Sequence, residues 1–189
     1  MTTIVVVRKG AGAVIAADSL TTFGTTRLAP AYDRSPQKIV KYRDSFIGVA
    51  GSAAHQLVLE NLLERNANLD FEGRPAIYET FRKLHPMLKD EAFLNPKEEE
   101  DDPYESSQMT VMIANPAGIF AVYSMREVFE FDRFWAIGSG RDFALGAMFV
   151  LYDQAKDVAS VATAAIHAGA EFDTGTSEPV HIHEVTLRG

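Results

Sequence analysis

Strand and helix signals in this chain come in blocks instead of alternating, and that order restricts the fold more than any single motif. Residues 4–7 (Ile-Val-Val-Val) and 13–17 flank a Gly-rich turn and read as one hairpin. Residues 38–42 and 46–50 read as a second, turning at Arg43-Asp44-Ser45. Two helical stretches follow. One is capped by Ser52 and carries Leu57, Leu59, Leu62 and Leu63 as its apolar stripe; the other, near 76–88, carries Ile77, Phe81, Leu84 and Leu88. Strands resume at 109–114 and 119–123 around Asn115-Pro116-Ala117-Gly118, with shorter candidates at 128–131 and 134–137. Helices near 140–154 and 158–170 and a last strand at 180–187 complete the series. A parallel doubly wound fold would alternate strand with helix. Blocks predict an α+β chain, with antiparallel sheets stacked face to face and a pair of helices over each outer side. The polar stretch 21–37, with Gly24, Pro30 and Pro36, is expected to be irregular.

The first hairpin sets a register. If Gly10-Ala11 is a two-residue loop with Gly in first place, facing residue numbers sum to 21. Val7 then faces Val14, Val5 faces Ala16, and Thr3 faces Asp18. Asp18 lands beside the chain's first residues.

Composition excludes several classes of function. At 189 residues, one domain spanning 2–189 is the expectation, with no repeat or linker to divide it. A net charge of -8 with no basic block argues against nucleic acid or an acidic membrane as partner. Cysteine is absent, which removes disulfides, Cys-based zinc sites and thiol catalysis and fits a reducing cytoplasm. The N-terminal apolar run is too short for a signal core, and no stretch approaches a membrane span. The run Lys97-Glu98-Glu99-Glu100-Asp101-Asp102 lies in a polar stretch, 94–107, and reads as a solvated loop.

Some residues could carry chemistry, although each has an ordinary reading. Met1-Thr2 places a threonine one residue from the terminus, and removal of Met1 would leave a nucleophile and an α-amine in one amino acid. Asp18 ends a strand, where Asp commonly starts turns, and Lys38 begins one, where lysine is usually solvated. Gly51 could be a tight strand-to-helix turn. Ser139 with Asp142 three residues on has the shape of a helix-capping pair, which alone would explain the serine. His181 and His183 face the same way on a strand, but no third ligand shares their spacing. They read as half-buried strand histidines and not as a metal site.

Together these features occur in a familiar order. Thr-Thr-Ile-Val-Val-Val at the start, Ala-Ala-Asp18-Ser19 after the first hairpin, Lys38-Ile39-Val40, Gly48-Val49-Ala50-Gly51 and Ala136-Ile137-Gly138-Ser139-Gly140 resemble the proteasome β-subunit family, in particular its bacterial, HslV-type members. The resemblance spans nearly the whole chain. It implies the N-terminal nucleophile hydrolase fold, a four-layer αββα sandwich. It also implies threonine-type endopeptidase chemistry without metal or cofactor. In that arrangement Thr2 is the nucleophile, Asp18 and Lys38 the charged pair beside it, and Gly51 the oxyanion donor. Ser139 is the supporting serine, and Asp173 and Thr176 complete the cluster.

The implied partners are further copies in a double ring of twelve to fourteen subunits, peptide or unfolded protein substrates, and an ATP-driven unfoldase. Gly48 suggests an open specificity pocket. The sequence departs from the family where Ala17 and Ser19 replace glycines, in a longer stretch between Asp18 and Lys38 than in HslV, and in the acidic loop. Two other readings stay open, a catalytically silent structural subunit of the same fold and a small-molecule amidase of the same nucleophile class.

Overall fold

In the computed structural model, which describes residues 1–97 and 99–188, two antiparallel sheets lie face to face between helical layers. The first sheet has the order β10-β1-β2-β11, built from β1 (Thr3–Lys9), β2 (Gly12–Ala17), β10 (Phe134–Gly138) and β11 (His181–Thr186). The second runs β5 (Ile39–Tyr42), β6 (Ser45–Ala50), β7 (Thr110–Asn115), β8 (Gly118–Val122) and β9 (Val128–Glu130) in that order. Helices α1 (Ala53–Arg65) and α2 (Arg74–Pro86) cover the second sheet; α3 (Arg141–Leu151) and α4 (Val158–Phe172) cover the first. This is the four-layer architecture the block order implied.

The period of two in each strand explains the layers. Ile4 and Val6 of β1 face the second sheet, joining Ile15, Ile39, Met112 and Ile119 in the central core. Val5 and Val7 face the other way, against Met148, Val161, Ala165 and Ile166 of α3 and α4. A strand buried on both faces must be apolar throughout, which is why residues 4–7 show no alternation. In the second sheet Ile47, Val111, Ile113 and Phe120 point outward to Leu59, Leu62, Phe81 and Leu84 of the other helical pair. Truncating one such side chain to Ala would cost about 2–5 kcal/mol.

The first hairpin has the expected register, with Val5 opposite Ala16 and Val7 opposite Val14, and Gly10 at φ +61° opens its turn. Other expectations need correction. Residues 21–37 are not wholly irregular: β3 (Thr21–Phe23) and β4 (Thr26–Leu28) form a small ribbon. Their β-branched threonines suit a strand, and Gly24 at φ +59° supplies the turn. Leu57 is 69% exposed, because two residues before Leu59 is the far side of the helix, about 200° around it. The second helix starts at Arg74 and runs through Pro86 into a π-helical turn, Met87–Glu91. The acidic stretch holds no helix or strand among the described residues, and its Glu98 lies outside them.

Strand ends converge at one edge of the sandwich. Thr3 pairs with Gly138, which brings the 138–140 turn beside the N-terminus. His181 pairs with Ala17, which draws residues 173–179 beside Asp18. Lys38 precedes β5 and Gly51 follows β6, both on the second sheet.

Candidate active site

Asp18 sits just past the end of β2 and is fully buried. Three backbone amides donate to its carboxylate: Thr3 to Oδ1 at 2.9 Å, Leu20 to Oδ2 at 3.0 Å and Ser177 to Oδ2 at 3.3 Å. Lys38 crosses from the second sheet to the first and places Nζ 2.7 Å from Oδ1. Burial lowers the pKa of this lysine, and the neighbouring Asp18 only partly offsets that effect.

The same Nζ donates to the carbonyl oxygen of Met1 at 3.3 Å, and the Thr2 hydroxyl donates to that oxygen at 2.6 Å. The hydroxyl and the ammonium therefore converge on the Met1–Thr2 peptide. Thr2 itself is buried, while Met1 lies half exposed above it.

A second group flanks the N-terminus from the other side. The Ser139 amide donates to the Thr2 carbonyl at 2.8 Å, and its hydroxyl to Asp173 Oδ2 at 2.7 Å. Thr176 donates to the same Oδ2 at 2.6 Å. Burial opposes charge on Asp173, but those two hydroxyls, the Gly175 amide and the nearby α-ammonium outweigh it and hold its pKa low. The local alternative for Ser139, a helix cap, does not hold. Gly140 is the N-cap of α3 and no side chain caps that helix, because the Ser139 hydroxyl is taken by Asp173. Gly138 is required here. It has φ +94°, and a Cβ on it would lie 1.8 Å from the Thr2 carbonyl oxygen.

Gly51 lines the same cleft as Thr2 and Lys38, a space of about 250 Å³ whose walls include Thr21, Val49 and Gln56. The His55 ring, which accepts from the Ser52 amide at 3.3 Å, fills the place where a Gly51 Cβ would go. Gly48 does not open this cleft: a Cβ there would meet Ile4 Cδ1 at 2.9 Å, inside the core. His181 and His183 are half-buried on β11, as the strand pattern suggested, each with a buried Nε2 that has no hydrogen-bond partner among the described residues.

The seven residues to which the resemblance gives catalytic roles thus border one locus at the N-terminus. Thr3 was missed. Its hydroxyl lies 2.6 Å from that of Thr176 and accepts from the Gly140 amide at 3.2 Å. The signal was its expected pairing with Asp18, read only as register.

The profile of the family described as "Proteasome subunit" matches residues 1–185. The chain belongs to the proteasome subunit family. It is 29% identical over 178 residues to the ATP-dependent protease subunit HslV of Bartonella quintana, covering 94% of this chain and 85% of that one. The HslV of Lactiplantibacillus plantarum is 28% identical over 183 residues, covering 95% and 93%. Among solved structures, the Thiobacillus denitrificans bacterial proteasome homologue, BPH, superposes with a TM-score of 0.93 at 35% identity over 98% of each chain. The same protein in complex with epoxomicin gives 0.92 at 34% identity, over 99% of this chain and all of that one.

Proposed function

We propose that this chain is a threonine-type peptidase subunit that becomes active when Met1 is removed. The observation that carries the reading is the convergence of the Thr2 hydroxyl and the Asp18-anchored Lys38 ammonium on the Met1 carbonyl oxygen. With Met1 attached, the Thr2 nitrogen is an amide and holds no usable lone pair. Once freed, it is an α-amine that ordinarily titrates near ~7.7–8.0, suited to accept the Thr2 hydroxyl proton near neutral pH. A positive charge on Lys38 disfavours protonation of that amine, and Asp18 holds the lysine in place.

The freed Oγ attacks the peptide carbonyl, and the Gly51 amide stabilises the oxyanion, an interaction worth about 2.7–4 kcal/mol in comparable sites. The amine then gives its proton to the leaving nitrogen, and an ester on Thr2 remains. Water, deprotonated by the same amine, hydrolyses the ester and restores the hydroxyl. A silent structural subunit would gain little from this pair, because burying two charges in place of a packed apolar pair rarely adds stability.

The chain is further proposed to act in the cytoplasm as a double ring of twelve to fourteen copies fed by an ATP-driven unfoldase. Two points support this. The HslV relatives are ATP-dependent protease subunits. Phe149 and Phe172, near the ends of α3 and α4, are 77% and 68% exposed, as faces covered by neighbouring subunits would be.

The decisive experiment combines intact mass with a covalent probe. Protein lacking Met1 should hydrolyse short peptides and gain the mass of epoxomicin, and Thr2→Ala should do neither. Peptide hydrolysis by Thr2→Ala at the parental rate would overturn the reading.

A further inference from the structure

We propose that Thr3 is a positioning residue of this site. Its hydroxyl is the middle link of a one-way hydrogen-bond chain from the Gly140 amide through Thr176 to Asp173, and that chain fixes the carboxylate that orients Ser139. The proposal rests on the threonine-peptidase reading for its effect on rate, but not for the existence of the chain.

The direction of each link follows from proton counting. An ionised carboxylate only accepts, so the Thr176 hydroxyl spends its single proton on Asp173 Oδ2 at 2.6 Å. It can then only accept from Thr3, whose Oγ1 lies 2.6 Å away. The Thr3 proton is committed in turn, and its oxygen accepts the Gly140 N–H at 3.2 Å. Ser139 obeys the same constraint. Its hydroxyl is 2.7 Å from Asp173 Oδ2 and 3.5 Å from the Thr2 carbonyl, and one proton serves the shorter contact. The Ser139 oxygen is left with lone pairs on the side of the N-terminal threonine, where an α-amine would need an acceptor.

The surroundings are built around this chain. Thr3 is fully buried and Thr176 nearly so, which leaves no water to replace a lost link. A Cβ on Gly140 would lie 2.3 Å from Thr3 Oγ1 and 3.0 Å from Thr176 Oγ1. Gly169, inside α4, lies against both threonines, and a Cβ there would sit at contact distance, 3.4 Å from Thr3 Oγ1 and from Thr176 Cγ2.

The test uses Thr3→Val, which keeps the shape and removes the hydroxyl, and Thr3→Ser, which keeps the hydroxyl. Thr176→Val breaks the chain one link on and does not touch β1. In protein lacking Met1, Thr3→Val should lower kcat by up to about tenfold, the size of one buried neutral hydrogen bond, and leave KM unchanged. The acid limb of the kcat profile should move to higher pH, because Asp173 loses support for its charge, and Thr3→Ser should restore both. Thr176→Val, which removes the direct donor to Asp173, should cost at least as much as Thr3→Val, and the double variant should be no worse than Thr176→Val alone.

Hydrogen exchange reads the chain without any activity: the Gly140 amide should lose protection in Thr3→Val, while the Ala144 amide within α3 keeps it. Parental kcat and pH profile in Thr3→Val, or multiplicative losses in the double variant, would overturn the positioning role. An unchanged Gly140 amide would overturn the chain itself, even if no peptide were ever hydrolysed.

Discussion

Replacing Lys38 with methionine separates what the buried ion pair does for the reaction from what it does for the fold. Asp18 is 0% exposed and Lys38 6%, with 2.7 Å between their charged atoms. Breaking such a pair usually costs about 3–5 kcal/mol, because a buried charge is left uncompensated. Here the carboxylate that remains keeps the amides of Thr3, Leu20 and Ser177. Hydrogen bonds to a charged group contribute about 1.5–3 kcal/mol each, so these donors should limit the cost of Lys38→Met to about 1–3 kcal/mol.

The opposite change is harsher. Asp18→Asn can keep an oxygen for Leu20 and Ser177 but turns an NH2 toward the Thr3 amide and the ammonium of Lys38, for at least ~3–5 kcal/mol. Asp18→Ala also orphans three amides at about 1–3 kcal/mol each, which approaches the whole stability of an ordinary domain. Urea unfolding at fixed protein concentration, followed by fluorescence of the single Trp135, should therefore rank Lys38→Met above Asp18→Asn, with Asp18→Ala failing to fold. Peptide hydrolysis by Lys38→Met should nonetheless fall about a hundred- to ten-thousand-fold, the range of proton-transfer assistance. Lys38→Met proving less stable than Asp18→Asn would refute the role given to the three amides. A parental rate would return Lys38 to an ordinary lysine.

Other outcomes follow from the same geometry. Gly138→Ala combines φ +94° with a Cβ 1.8 Å from a backbone oxygen, and should lose more than about 3 kcal/mol in thermal unfolding, a loss reserved for strain of this kind. Burial holds the His183 pKa below the ordinary value near ~6.5, with His181 and Lys41 adding to the effect. The unfolded chain therefore binds a proton that the folded chain resists, so stability is full above that value and falls as pH drops below it. Melting temperatures from pH 7.5 to about 5 should show this fall, and His183→Leu should flatten part of it, with His55, also lowered by burial, accounting for a share of the rest. Phe149→Glu with Phe172→Ser should reduce the mass seen by light scattering toward the 20.8 kDa of one chain while circular dichroism stays unchanged.

The layers were legible because they depend on period and order, which the sequence states directly. Residues 4–7 read as a strand, and the Gly10-Ala11 turn set its partners. What was not legible depends on neighbours distant in sequence. Leu57 has the composition of a core residue, and only the azimuth of α1 places it outside. Ser139 fits a local rule for helix caps, and a carboxylate 34 residues away overrides that rule. Thr3 looked like a strand's first residue because its partner Thr176 lies 173 positions along the chain. The small ribbon at β3 and β4 was hidden by the glycine and prolines around it, which argued for loop more strongly than three threonines argued for strand.

Departures from local rules occur elsewhere too, as at the positive-φ residues Arg43, Phe93, Gln108 and Arg126 and in the uncapped α2, but four lie together. A buried ion pair, a positive-φ Gly138, a Gly169 inside α4 and a helix α3 with no side-chain cap all border the first three residues. Each is a cost that a simpler residue could remove: an apolar pair for Asp18 and Lys38, alanine at Gly169, a capping serine free to cap. Natural sequences tend to agree with their folds at every level except where something other than folding constrains them. One isolated violation would be unremarkable, but four that share a single boundary are hard to assign to packing. The common element is the space around the Thr2 backbone, kept narrow enough for Gly138 to touch its carbonyl and polar enough to place Lys38 and Ser139 on either side. A subunit that only built a wall would be free to lose those costs one at a time. Their joint presence supports the proposal that the site is arranged around the N-terminal threonine.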